Sequence, residues 1–216
     1  MTFDQLSFAA RLLNPIEDQP SVKVRERIMR AIVAPDSERL NNLFFQGRET
    51  VFQSRKDLMV IHRNELDLFT ISVLYWGYPT NNNQRCSYAM NSWQELITLV
   101  RDIRYHRNMT DQYYSDLIPR MSDVYNLGIS TFSKLFYFAR ATVNGKSCLI
   151  FDNLVVRGIR HLEGDIFDRL KNSVVGLDRY EAYLRYLDEV DELSERMTIP
   201  PANIEYVLWL AGKKGL

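Results

Sequence analysis

The chain predicts an all-α fold, and three observations carry that prediction. Apolar residues recur three and four positions apart through several segments longer than ten residues. Capping residues, prolines and glycines bound those segments. No stretch of useful length alternates apolar and polar residues with period two.

The elements follow in order. Residues 21–34 read as a helix, with Val24, Ile28 and Ala31 at helical spacing, Ser21 as cap and Pro35 as stop. Residues 64–76 read as a second, capped by Asn64, with Leu66, Phe69, Val73 and Trp76 as its stripe; Gly77 to Asn83 then reads as a loop. Residues 89–107 carry Trp93, Leu96, Ile97, Val100 and Ile103 on one face. Residues 110–125 form another helix, with Pro119 as a possible kink. Leu127-Gly128-Ile129-Ser130 reads as a tight turn, and Thr131 to Val143 as a strongly apolar helix that Asn144-Gly145-Lys146 breaks. Cys148 to Phe151 looks extended, and Asp152 looks like the cap of a helix over 153–161. Residues 178–196 predict a long charged helix with Tyr183, Leu187, Val190 and Leu193 inward, and residues 201–211 the last one. No sheet larger than two short strands is expected. The 216 residues suffice for one domain, 1–216, or for two fused helical lobes with a helix-hairpin-helix at about 110–143.

Composition narrows the function. The chain is 46% hydrophobic, which excludes a disordered tail. Its 27 basic residues balance 27 acidic ones, which argues against bulk electrostatic coating of nucleic acid but permits a grip on a few phosphates. The start, MTFDQLSFAARLLNP, has no basic region leading into a long apolar run, and no stretch is long and apolar enough for a membrane span. A cytoplasmic protein is expected. Cys86 and Cys148 cannot ligate a four-cysteine cluster, and a disulfide between them is not expected. His62, His106 and His161 show no metal-ligand spacing. No metal and no cofactor is expected.

The window 127–160, LGISTFSKLFYFARATVNGKSCLIFDNLVVRGIR, is where chemistry is legible. Physically it is helix, tight turn, helix, extended stretch, capped helix. The turn leaves backbone N–H groups free at a helix start, which is an anion site; the same pattern also describes an ordinary helical hairpin. Gly128 can supply positive φ, and Ser130 or Thr131 can cap the helix. Lys134 lies on a helix that is apolar on most sides, among Phe132, Leu135, Phe136, Phe138 and Ala139. Lost hydration there favours the neutral amine that a Schiff-base nucleophile needs; alternatively the lysine snorkels. Asp152 is a helix cap, and also a carboxylate at the lip of the core that could stabilise positive charge on a sugar.

The runs GISTFSKLFYFA and LIFDNLVVRGI resemble the bacterial branch of the 8-oxoguanine DNA glycosylases, within the helix-hairpin-helix superfamily. The resemblance implies a compact, helix-only glycosylase without the N-terminal β domain of the eukaryotic enzymes. It implies that Gly128, Ile129, Ser130, Thr131 and Ser133 form the hairpin that grips DNA phosphates. It implies that Lys134 attacks the sugar C1′ of an extruded base while Asp152 assists. Ser130 stands where the common G-x-G hairpin has its second glycine. The implied reaction is excision of an oxidised or modified purine, with strand cleavage by β-elimination if the Schiff base forms. Relatives of this branch occur in antiphage operons, so other defence proteins are implied partners. The alternative is a glycosylase-like module that binds nucleic acid or a modified purine without cutting.

Other residues have weaker claims. Trp76, Tyr78 and Trp93 could stack on an extruded base or fill the core. Arg157 is a candidate DNA contact and Arg160 a second, although arginines on a helix are usually a solvated face. His161 suits a helix end. The acidic run 188–195 reads as a solvated face away from DNA.

Overall fold

The computed structural model describes residues 1–32, 34–62, 64–79, 83–124, 127–174 and 179–214. Its first part runs α1 (Phe3–Leu12), α2 (Pro15–Asp18), β1 (Val22–Arg25), α3 (Glu26–Met29), α4 (Ser37–Phe45), β2 (Thr50–Gln53) and α5 (Arg55–Val60). The middle holds α6 (Leu66–Gly77), α7 (Asn83–Asn91), α8 (Trp93–Tyr105), β3 (Asn108–Met109), α9 (Asp111–Asp123) and α10 (Ile129–Phe138). Then come β4 (Thr142–Val143), β5 (Lys146–Ser147), α11 (Asn153–Arg160), α12 (Asp168–Ser173), α13 (Arg179–Met197) and α14 (Pro201–Lys214). The fold is all-α, with strands confined to short ribbons.

Two central helices are buried almost all round. Every residue of α6 from Phe69 to Trp76 is inside, as is every residue of α10 from Thr131 to Phe138. A helix without a polar face must be enclosed by others, and one hydrophobic cluster extends around these two from Leu6 to Leu208. The inward stripe of α13 includes the expected Tyr183, Leu187, Val190 and Leu193.

Several expectations are corrected. Residues 21–34 are not one helix: Val22–Arg25 pairs antiparallel with Thr50–Gln53, and only Glu26–Met29 is helical. Val24 has helical spacing to Ile28, but it also alternates with exposed Lys23 and Arg25, and a partner strand elsewhere in the chain decides. The helix expected over 131–143 is Ile129–Phe138, followed by Arg140 with φ 55°, which ends it. Thr142–Val143 then joins a three-stranded sheet, β3-β4-β5, one strand more than expected, with every strand two residues long. Asn144 and Gly145, both at positive φ, make the turn between β4 and β5. The expected 89–107 helix is two, broken at Ser92. The 64–76 helix starts at Leu66 after Glu65, without the Asn64 cap. Thr80-Asn81-Asn82 of the expected loop and Asp178 at the expected start of α13 lie outside the described residues.

The closest helix pair frames the site. A Cβ on Gly158 of α11 would sit 1.9 Å from the Leu208 carbonyl oxygen of α14, and one on Gly212 would sit 1.9 Å from the Leu154 carbonyl oxygen. Backbone therefore touches backbone at this crossing, which only glycine permits. The crossing joins α14 directly to the helix that Asp152 caps.

Candidate active site

Lys134 and Asp152 meet. The Lys134 Nζ lies 3.4 Å from Asp152 Oδ2, with side-chain exposures of 6% and 17%. Lys134 Nζ also donates to the Ser130 carbonyl oxygen at 2.9 Å and to Ser130 Oγ at 3.2 Å. Three acceptors thus surround an ammonium that has three donors. The lysine stem passes close over the C-terminus of α6, where a Cβ on Gly77 would come within 3.2 Å of Lys134 Cδ. This is an amine held inside and pointed at a carboxylate. A snorkelling lysine would carry its amine out to water.

Asp152 divides its oxygens between two tasks. Oδ1 accepts from the Leu154 and Val155 N–H groups at 3.0 and 3.1 Å and so caps α11, as its position after the apolar run predicts. Oδ2 faces the amine. The cap fixes the carboxylate, and the fixed carboxylate meets the lysine.

The segment before Asp152 is extended but belongs to no strand, and side chains satisfy its backbone. The Tyr183 hydroxyl donates to the Leu149 carbonyl at 3.0 Å and the Tyr186 hydroxyl to the Ile150 carbonyl at 3.3 Å. Burial pushes both phenols well above the usual tyrosine range, so they serve as neutral donors. The Phe151 N–H donates to Ser133 Oγ at 3.0 Å. That bond ties the residue before Asp152 to the residue before Lys134 and sets the register of the pair.

Behind this pair lies a second, which sequence reasoning missed. Arg55 of α5 forks onto Glu205 of α14, Nη1 to Oε2 at 2.9 Å and Nη2 to Oε1 at 3.1 Å. Their side chains are 1% and 0% exposed. Arg55 also donates to the Tyr137 hydroxyl and to Gln19, and its guanidinium lies 4.9 Å from the Tyr137 ring centre. Burial works against the Arg55 charge, but Glu205 and Tyr137 outweigh it and hold the guanidinium above its ordinary range. Burial pushes the Glu205 carboxyl up; Arg55 opposes, and Asp152 and Lys134 act on it through space. The four side chains form one electrically balanced cluster. Glu205 was the available signal, since a lone carboxylate among buried Ile204, Tyr206, Val207 and Leu208 demands a buried cation. Arg55, in the polar run Ser54-Arg55-Lys56-Asp57, gave none.

The hairpin residues are sorted differently from expectation. Gly128 is extended, with φ −101° and ψ −179°, and does not adopt positive φ; it is itself the N-cap, and Ser130 and Thr131 lie inside α10. The side chains of Ile129, Thr131 and Ser133 are buried at 3%, 1% and 0% exposure, so none presents its side chain to a phosphate. The Thr131 hydroxyl bonds the Tyr78 hydroxyl at 2.6 Å, and Ser133 is spent on Phe151. Gly128 and Ser130 are half-buried. The N–H groups of Gly128, Ile129 and Ser130 have no hydrogen-bond partner among the described residues. Arg157 is exposed on α11 and makes no ion pair among the described residues, and Arg160 is exposed too.

Among the aromatic candidates, Trp93 is core, its Nε1 bonded to Asp67 at 2.8 Å. Trp76 is buried edge-on against Phe138, with ring centres 5.1 Å apart. Of the three, Tyr78 is half-buried, with the Arg85 guanidinium 5.5 Å over its ring. Burial pushes the Cys86 and Cys148 thiols up to about 12, which removes either as a thiolate nucleophile. Among the described residues no three His, Cys, Asp or Glu side chains cluster to hold a metal, and no helix is long and apolar enough to cross a membrane.

No curated protein and no solved structure matches the chain. The family model described as "Putative 8-oxoguanine DNA glycosylase OGG-like protein" matches residues 18–209, which include all four charged residues of the buried cluster and the hairpin before Lys134. The chain belongs to this 8-oxoguanine DNA glycosylase-like family.

Proposed function

We propose that the chain is a DNA N-glycosylase acting on an oxidised or modified purine, with Lys134 as nucleophile. One observation carries the reading: an enclosed lysine amine 3.4 Å from a carboxylate that a helix cap holds in place. In the proposed step Asp152 accepts a proton from the Lys134 ammonium. The neutral amine attacks C1′ as the glycosidic C–N bond breaks, and the proton held by Asp152 passes to the departing base. Asp152, again ionised or sharing that proton, steadies positive charge on the sugar. Opening of the sugar ring gives a Schiff base, and loss of a 2′ proton with the 3′ phosphate cleaves the strand. The free N–H groups of Gly128, Ile129 and Ser130, at the positive end of α10, supply the phosphate contact, with Arg157 as a further candidate.

The experiment is borohydride trapping on duplexes carrying single oxidised or alkylated purines. A covalent protein–DNA adduct should form with the native chain and vanish completely in Lys134→Ala. No adduct on any lesion, with duplex binding intact, would replace this reading with the second: a module that recognises nucleic acid or a modified purine without cutting, serving a bacterial defence complex. A specific observation favours that second reading, because Ser130 already takes two of the Lys134 donors, at 2.9 and 3.2 Å.

A further inference from the structure

The ribbon formed by β1 and β2 bears a surface that the Lys134 site does not use. In its register Lys23 faces Phe52 and Arg25 faces Thr50. Val24, Val51 and Gln53 point into the protein, while Lys23, Arg25 and Phe52 point out. Phe52 is 62% exposed, and the Lys23 ammonium stands 5.7 Å from its ring centre. Beside them is an open cleft of about 700 Å³ lined by Arg25, Glu26, Arg27, Arg30, Glu49 and Thr50.

Charge on this face is lopsided. Arg30 is committed to Glu26 at 2.7 Å. Lys23, Arg25 and Arg27 are exposed and form no ion pair among the described residues, and the cleft offers only Glu49 against them. The protein as a whole carries no net charge, so this excess is local. A large aromatic left in water beside unpaired cations is what a single strand of nucleic acid engages: the phosphates take the cations and a base stacks on the ring. Alternate residues of one strand are about 6.6 Å apart, so Lys23 and Arg25 span about two phosphates.

We propose that the outer face of this ribbon is a second nucleic-acid contact, in which Phe52 stacks on an unpaired base and Lys23, Arg25 and Arg27 hold the adjoining phosphates. The proposal rests on the glycosylase reading only in taking nucleic acid as the partner. All the side chains involved are exposed, so substitutions should leave the fold and the melting temperature unchanged.

The test measures anisotropy of a fluorescent oligo-dT and of a plain duplex with the full chain across a salt series. Phe52→Ala should weaken oligo-dT binding about tenfold and duplex binding much less. Lys23→Ala with Arg25→Ala should lower the salt slope on single strands by about 1.4. Native-like affinity and slope in the ribbon variants overturn the proposal, as does failure of the native chain to bind oligo-dT. Loss of self-association in Phe52→Ala without loss of oligo-dT binding also overturns it, since the face is then a protein contact. Trapping separates the two readings. Ribbon-dependent oligo-dT binding without any adduct sustains this proposal and ends the glycosylase one; adduct formation with ribbon variants that bind normally does the reverse.

Discussion

Two ion pairs in this molecule lie near enough for their charges to act on one another, and they are built to different specifications. Arg55 and Glu205 are sealed, 1% and 0% exposed, joined by two hydrogen bonds near 3 Å, with Tyr137 and Gln19 closing the guanidinium. Lys134 and Asp152 are looser and wetter at the carboxylate, with one contact of 3.4 Å and 17% of the Asp152 side chain exposed. The first pair presents nothing to a ligand: its fork is planar, bidentate and always charged. The second joins a flexible amine, able to lose its proton, to a carboxylate with one oxygen fixed by the cap and the other turned to the amine. The difference separates scaffold from chemistry. If it holds, substitutions at the sealed pair cost stability, and substitutions at the loose pair cost reaction rate.

The largest stability loss should come from Glu205→Ala. It strands a buried guanidinium, and breaking such a pair costs about 3–5 kcal/mol. For a chain of this length the melting temperature should fall by roughly 10 °C. Replacing both partners together, Arg55→Met with Glu205→Leu, should recover most of that loss, because two apolar side chains need no partner. Calorimetry or thermal circular dichroism reads both. A single variant that melts with the native protein would show that the sealed pair is not the scaffold.

Ser133→Ala should cost less and connects the two halves of the comparison. It leaves the Phe151 N–H buried without an acceptor, a loss of about 1–3 kcal/mol. It also releases the segment that aims Asp152 at Lys134. Trapping should slow by about tenfold to a hundredfold, as misplacement on the order of 1 Å does, with duplex affinity retained. A lower melting temperature with an unchanged trapping rate would make Ser133 structural and remove it from the positioning of the pair.

These two residues also mark where the sequence was readable. Asp152 was legible because a cap is a local signal: an apolar run, then a short acid, then a helix. Lys134 was legible because a cation amid Phe132, Leu135, Phe136 and Phe138 conflicts with its own helix. The all-α class followed from long periodic segments such as α8 and α13. Glu205 offered a signal, but its pairing with Arg55 was not legible, since 150 residues separate them and no pattern links them. The bond from Phe151 to Ser133 crosses 18 residues and depends on how α10 packs. β1 falls inside the segment 21–34 that its spacing predicts as helix, because four residues fit either period until the partner strand β2 is known. What was missed was non-local in each case.

The sharpest test is Asp152→Asn. Asn caps a helix as well as Asp does, so its side-chain oxygen can keep accepting from the Leu154 and Val155 N–H groups. The Lys134 side chain is only 6% exposed, so the lost carboxylate is not a surface effect; Ser130 still holds the ammonium, and stability should fall by about 1–3 kcal/mol, less than at the sealed pair. Chemistry should not be spared. The amide cannot accept the Lys134 proton and carries no charge to set against a developing oxocarbenium ion, so trapping should fall by about a hundredfold to a thousandfold. Asp152→Ala supplies the contrast, since it loses the cap as well and should melt lower by the equivalent of about 1 kcal/mol beyond Asn. If Asn matches the native chain in both melting and trapping, Asp152 is a cap and nothing more. If Asn folds and binds duplex like the native chain but loses trapping, the loose pair is the one that carries the reaction, and Oδ2, which faces the amine, is the oxygen that serves it.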